Sequence, residues 1–257
     1  NITNAETLDA IIANGATVET IGSLDGGRIC WALAKIPATF EVVAGDAVET
    51  YILLQWGHDG KTGVNGRRTG IRVVCANTLN MANSQSKASF SIRHSKNAQV
   101  RVDEAREALG MVYKEMEDTA ELFRALANRP LTSTETTGYI ESVFPYPANV
   151  KTESVEETMA RLMGNPVSTL EQAARDAMAR VDEVREIIVR LMGEGKGSNF
   201  APGTAWNAYN AVTEYTDHVY PVLQSGQVST TKQQAVLFGA TAKVKDRALN
   251  AATALLG

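Results

Sequence analysis

The sequence predicts an α+β protein: an antiparallel β-meander or hairpin core of the β-β-β-α kind packed on helices, followed by an α-helical C-terminal half. Three observations carry that expectation. Up to residue 101 the apolar residues fall in short β-branched runs broken by glycine turns, the signature of strands joined by tight connections. From Val102 onward the apolar spacing becomes that of amphipathic helices. A chain of 257 residues with 44% hydrophobic content can bury a sizeable core. The change of period divides the chain into a β-rich part, 1–101, and a helical part, 102–257, read as one continuous structural unit.

The elements follow in order. "NAETLDAIIA" places Leu8, Ile11 and Ile12 on one face of a short helix that Asn4 can cap. In "TVETIGSLDGGRICWALAKI" the Gly26-Gly27 pair separates two strand-like runs, a hairpin signal. "TFEVV" and "AVETYILLQWGHDG" read as further strands, the second ending in a turn at Asp59-Gly60. "KTGVNGRR" reads as another glycine-rich turn with Asn65-Gly66 at its tip. "TGIRVVCANTLNMA" then runs from a β-branched strand into a helix near Leu79, with Asn77 and Thr78 as caps.

The helical part begins with a long stripe from Val102 to Ala127, on which Leu109, Val112, Met116 and Leu126 share a face. "PLTSTETTGYIESVFPYP" reads as a short helix closed by Pro145 and Pro147. A capping box from Ser168 to Glu171 opens a second long helix that stops at Gly193 and Gly195. "TAWNAYNAVTEYTDHVY" is a helix carrying Trp206 and Tyr209, and the last 28 residues or so form one helix or a broken pair. There is no internal repeat.

Charge gives the first functional clue. The chain totals −4, yet between residues 56 and 101 Lys61, Arg67, Arg68, Arg72, Lys87, Arg93, Lys96 and Arg101 face a single acid, Asp59. Clustered Arg and Lys among Ser, Asn and Gln donors are what a phosphate backbone requires. The bland alternative is that these cations balance acidic neighbours, including those of partner subunits. The candidate nucleic-acid contacts are Lys61, Arg67, Arg68, Arg72, Lys87, Arg93 and Lys96. Trp56 joins them as an exposed aromatic on which a base can stack. Packing in the core is the default for Trp31 and Tyr51.

Other chemistry is thinly represented. His58, His94 and His218 are far apart and no Cys or His pair has ligand spacing, so neither a metal nor another cofactor is expected. Cys75 could serve as a nucleophile with His94 or His58, but within "VVCA" a buried small hydrophobe is the commoner outcome. No catalytic residue is assigned. Glu214, Asp217 and His218 sit at helical spacing, as either a polar site, even half of a metal site, or a structural hydrogen-bond network or subunit contact. No run approaches the roughly 18 apolar residues of a membrane helix, which with the sparse cysteines leads to the expectation of a soluble protein of a reducing cytoplasm. The start at Asn1 without Met leads to the expectation of a trimmed N-terminus.

Taken together, "GSLDGGRICWALAKIP", "RTGIRVVCANTLNMA", "SFSIRHSKNAQVRVDEAREALG" and "TAWNAYNAVTEYTDH" resemble, in order and over nearly the whole chain, the phage/plasmid-like protein family catalogued as domain of unknown function nine-three-two. That resemblance implies a phage or mobile-element protein acting inside a bacterial cell. By topology and charge rather than by motif, the hairpin, strand and basic helix are also similar to the core of single-strand annealing proteins. This second likeness implies a ring of subunits holding single-stranded DNA in a basic groove. The resulting expectation is single-stranded DNA binding, extending to strand annealing, by a cofactor-free homo-oligomer. The alternative is a non-enzymatic interaction or assembly protein acting on a host protein.

Overall fold

The structure is a computed structural model, and it describes residues 12, 15–57, 64–73, 77–80, 90–92, 116–147, 159, 163, 169–219 and 240–257. Strands β1 (Thr17–Leu24), β2 (Ile29–Glu41), β3 (Ala47–Gly57), β4 (Val64–Arg72) and β5 (Asn77–Asn80) pair antiparallel in that order. β6 (Phe90–Ile92) also pairs with β4, making a six-stranded sheet. The β1–β2 hairpin turns through Asp25–Gly27, where Gly26 and Gly27 take positive φ, as the sequence led one to expect.

"TFEVV" proves to belong to the same strand as "ICWALAKI". β2 runs on through Pro37, and its register against β3 shifts between Lys35 and Thr39. Proline has no N–H for the ladder, so a bulge at that point lets the strand continue past it. Four successive β2 residues, Trp31 to Ala34, are buried, so both faces of the sheet centre are covered. Across one face Leu33 lies opposite Leu53 and shares a cluster with Trp31 and Tyr51.

In the helical half, residues 116–127 (α1) are helical, followed by α2 (Ser133–Val143), α3 (Thr169–Glu194), α4 (Ala205–Glu214) and α5 (Ala240–Ala254). A π-helical turn, Tyr215–Val219, extends α4. The main hydrophobic cluster joins the sheet to these helices: Phe40 and Val48 pack with Phe123, Trp206, Tyr209 and Ile188. Phe123 and Trp206 stack tilted at 4.7 Å. The observed architecture is the α+β arrangement of an antiparallel sheet followed by a mostly helical half.

α2 starts where its sequence says it should. Thr132 Oγ1 accepts from the Glu135 amide at 3.2 Å, and Glu135 Oε2 accepts from the Thr132 amide at 2.8 Å, a reciprocal capping box. Arg129 Nη2 donates to Glu135 Oε1 at 2.5 Å. The Thr132 amide, then Arg129, hold the Glu135 carboxyl down at about 2, against an ordinary 4.5. The depressed folded value means that this contribution to stability is present above pH 4.5 and is lost as pH falls through about 2. Glu135→Gln keeps a capping side chain but removes the titration. Over that window the thermal midpoint of the wild type should therefore fall further than that of the variant. Parallel falls would show that these bonds add nothing to stability.

Candidate nucleic-acid interface

β4, "VNGRRTGIR", is the strand on which the basic stretch is built. Its inner edge pairs with β3 along Val48 to Gln55, so Asn65 and Gly66 lie inside the ladder, opposite Gln55 and Leu54. They are strand residues, not the turn tip that their Asn-Gly dipeptide predicts. The outer edge of β4 is shared. β5 pairs with Thr69 to Arg72, and β6 pairs with Val64 to Gly66. Asn77 and Thr78 lie opposite Arg72 and Ile71 in this ladder, so they extend the sheet and do not cap a helix.

The two ladders are out of step. Asn80 pairs with Thr69 and Phe90 with Gly66, so the nine residues 81–89 intervene where β4 advances past only Arg67 and Arg68. β5 and β6 thus pair with the same strand on either side of Arg67 and Arg68. The sequence between them, residues 81–89, is "MANSQSKAS", polar and carrying Lys87. Arg67 and Arg68 lie opposite Leu53 and Ile52, register positions that belong to opposite faces of the sheet.

The structure removes two residues from the expected contact set. Trp56, expected to be exposed, is only 3% exposed: it lies opposite Cys30 on the central β2–β3 pair, where burial of the indole outweighs access. Arg72, expected on a phosphate track, is 1% exposed and fully engaged. Its Nε and Nη2 donate to Asp46 Oδ1 and Oδ2 at 2.5 and 2.8 Å. Nη2 also reaches the Gly197 carbonyl at 3.0 Å and Nη1 that of Lys196 at 3.4 Å. The guanidinium lies 5.8 Å from the rings of both Phe200 and Trp206. A Cβ on Gly197, at φ +73, would meet Arg72 Nη2 at 2.9 Å, so glycine is needed there twice over. Trp31 and Tyr51 are buried as expected.

Asp46 was not singled out in the sequence, yet it is the centre of this cluster, also accepting from Trp206 Nε1 at 2.8 Å. A signal was present: "VVAGDAV" and "GIRVV" each hold one charge in apolar surroundings, and a buried charge requires a partner.

Arg67 and Arg68 are placed on β4 by their backbone. Lys61, Lys87, Arg93 and Lys96 lie outside the described residues, as do Cys75, His58 and His94. Of the other polar candidates, Asp217 is buried and salt-bridged to Lys245 Nζ at 2.5 Å, while Glu214 Oε1 accepts from the Lys196 amide at 3.2 Å. His218 is exposed. This arrangement fits the structural network. Among the described residues no group of three His, Cys, Asp or Glu could hold a metal, and no helix is long and apolar enough to cross a membrane.

A family model described as Domain of unknown function (DUF932) matches residues 1–255. Comparisons with curated proteins and with solved structures found no match.

Proposed function

Starting from the fact that the chain belongs to the DUF932 family, we propose that it binds single-stranded DNA through the split edge of β4, in phage or mobile-element replication or recombination within a bacterial cytoplasm. The observation that carries this reading is the break between β5 and β6. It leaves Arg67 and Arg68 between the two ladders that β5 and β6 make with β4, inside a stretch with eight cations and one acid. Lys61, Arg93 and Lys96 complete the set by their place in that stretch. Arg72 and Trp56 serve the fold instead, so the reading rests on charge and not on base stacking by the described aromatics.

A single strand suits this arrangement better than a duplex. Duplex readers commonly seat a helix in the major groove, whereas Arg67 and Arg68 stand on a strand of the sheet. Neutralising phosphates releases counterions, so affinity falls with salt by about 0.7 in logarithmic slope for each contact on a single strand. Fluorescence anisotropy over a salt series, with single-stranded and duplex DNA, is the test. Arg67→Ala with Arg68→Ala should lower the slope by about 1.4, two contacts at about 0.7 each. The loss should be the same for every base sequence. Arg→Lys at both sites should be milder, because a point charge still meets a phosphate. If the double alanine variant binds as tightly as wild type at every salt concentration, the edge has another purpose and assembly on a host protein becomes the leading role.

A further inference from the structure

A cavity of about 360 Å³ opens between α2 and α3. Its apolar surface comes from both helices: Ile140 of α2, which is buried, and Val189 of α3, which is 57% exposed. Four charged residues, Glu141, Arg185, Glu186 and Arg190, also line it, and their charges cancel. Arg185 is committed elsewhere. Its Nε and Nη2 donate to the Phe144 carbonyl at 3.1 and 2.9 Å, and Nη1 lies 3.6 Å from the Glu141 carboxylate. Glu186 and Arg190 are exposed and stand one helical turn apart, where opposite charges offset one another. The uncharged polar group of the lining is the Thr137 hydroxyl. It donates its one proton to the Ser133 carbonyl at 3.1 Å, so toward a ligand it can only accept.

We propose that this cavity binds an uncharged aromatic molecule of about two fused rings carrying one N–H or O–H donor, indole being the simplest representative. Size sets the scale. An apolar cavity of about 150 Å³ accepts a single benzene ring. This one is more than twice as large and falls within the range of about 300–1,000 Å³ typical of ligand pockets. Charge excludes ions: with Arg185 engaged and Glu186 balanced by Arg190, neither an anion nor a cation gains a net partner on entering. The two arginines favour an aromatic over an aliphatic body, because guanidinium planes stack on ring faces. Arg185 already does so, 4.2 Å from the Tyr146 centroid. Thr137 supplies the polar preference, since an acceptor on an otherwise apolar wall rewards a ligand that brings a donor. Every lining residue belongs to α2 or α3, so this site and the DNA reading on β4 succeed or fail independently.

Titrating indole into protein with labelled methyl groups should shift the Ile140 and Val189 signals saturably, with a Kd of about 1 mM or tighter. N-methylindole lacks the donor and should bind about fivefold more weakly. Indole-3-acetate should gain nothing from its carboxylate. Val189→Glu brings a charge to the wall at an exposed position and should weaken indole binding about tenfold or more, with its urea midpoint reporting on the fold. Thr137→Val keeps the shape of the side chain and should erase the preference for indole over N-methylindole. Ala179→Glu, exposed on α3 outside the cavity, should leave binding unchanged. Four results would each overturn the assignment. These are methyl signals that ignore indole, equal wild-type affinities for indole and N-methylindole, indole-3-acetate binding more than about tenfold tighter than indole, and a folded Val189→Glu protein that binds like wild type.

Discussion

Arg72→Ala is expected to lower the free energy of unfolding by about 3–5 kcal/mol, the range for removing one partner of a buried ion pair. Arg72 and Asp46 are both out of solvent, and the pair ties β4 to the β2–β3 turn. Without the guanidinium, Asp46 keeps only the Trp206 indole N–H among its three described donors. The Lys196 carbonyl loses this donor at the same time, while the Gly197 carbonyl keeps the Phe200 amide. Urea unfolding followed by tryptophan fluorescence and by far-ultraviolet circular dichroism should shift together, because the cluster joins the sheet to the helices. Replacing both partners, Arg72→Met with Asp46→Leu, should recover much of the loss. It should not recover all of it, since the buried indole N–H then has no acceptor, at about 1–3 kcal/mol. A single alanine variant within about 1 kcal/mol of wild type would mean that the cluster is a by-product of packing.

The same residue shows what the sequence could and could not reveal. The meander, its glycine turn at residues 25–27 and the helices around Trp206 and Ile188 were legible because periodicity is a local property. The fate of Arg72 is not local. Its partner Asp46 is 26 residues away and its carbonyl acceptors more than 120, so charge counting placed it with its exposed neighbours. Trp56 misled in a similar way: a nearby turn suggests exposure, while its register opposite Cys30 places it in the middle of the sheet. Asn65-Gly66 is a strong turn dipeptide, yet pairing with Gln55 and Leu54 overrides it. The pairing of both β5 and β6 with β4 could not be read at all, since nothing within either short segment states which partner it takes.

Lys245→Met should be about as costly as the loss of Arg72, and for the same physical reason. Lys245 is 0% exposed on α5, and its ammonium meets Asp217 within the π turn. Methionine retains most of the stem's apolar packing, so the cost isolates the charge: Asp217 stays buried after losing this cation, a change of about 3–5 kcal/mol. The nearby hydroxyls have other engagements. Thr213 donates to the Asn210 carbonyl at 2.9 Å and Thr216 to that of Thr213 at 2.9 Å. Asp217→Asn alone should also be destabilising, because it leaves the ammonium facing a neutral amide. Combined with Lys245→Met it should cost less than the sum of the two, with a coupling of at least about 1 kcal/mol. π-Helical turns often occur at functional sites, so the same variants also test that alternative. If Lys245→Met unfolds at the wild-type urea midpoint but no longer binds single-stranded DNA, the pair belongs to the binding machinery. If stability falls as expected and the salt slope of the remaining folded protein is unchanged, the pair fastens the π turn to α5 and makes no contact with phosphate.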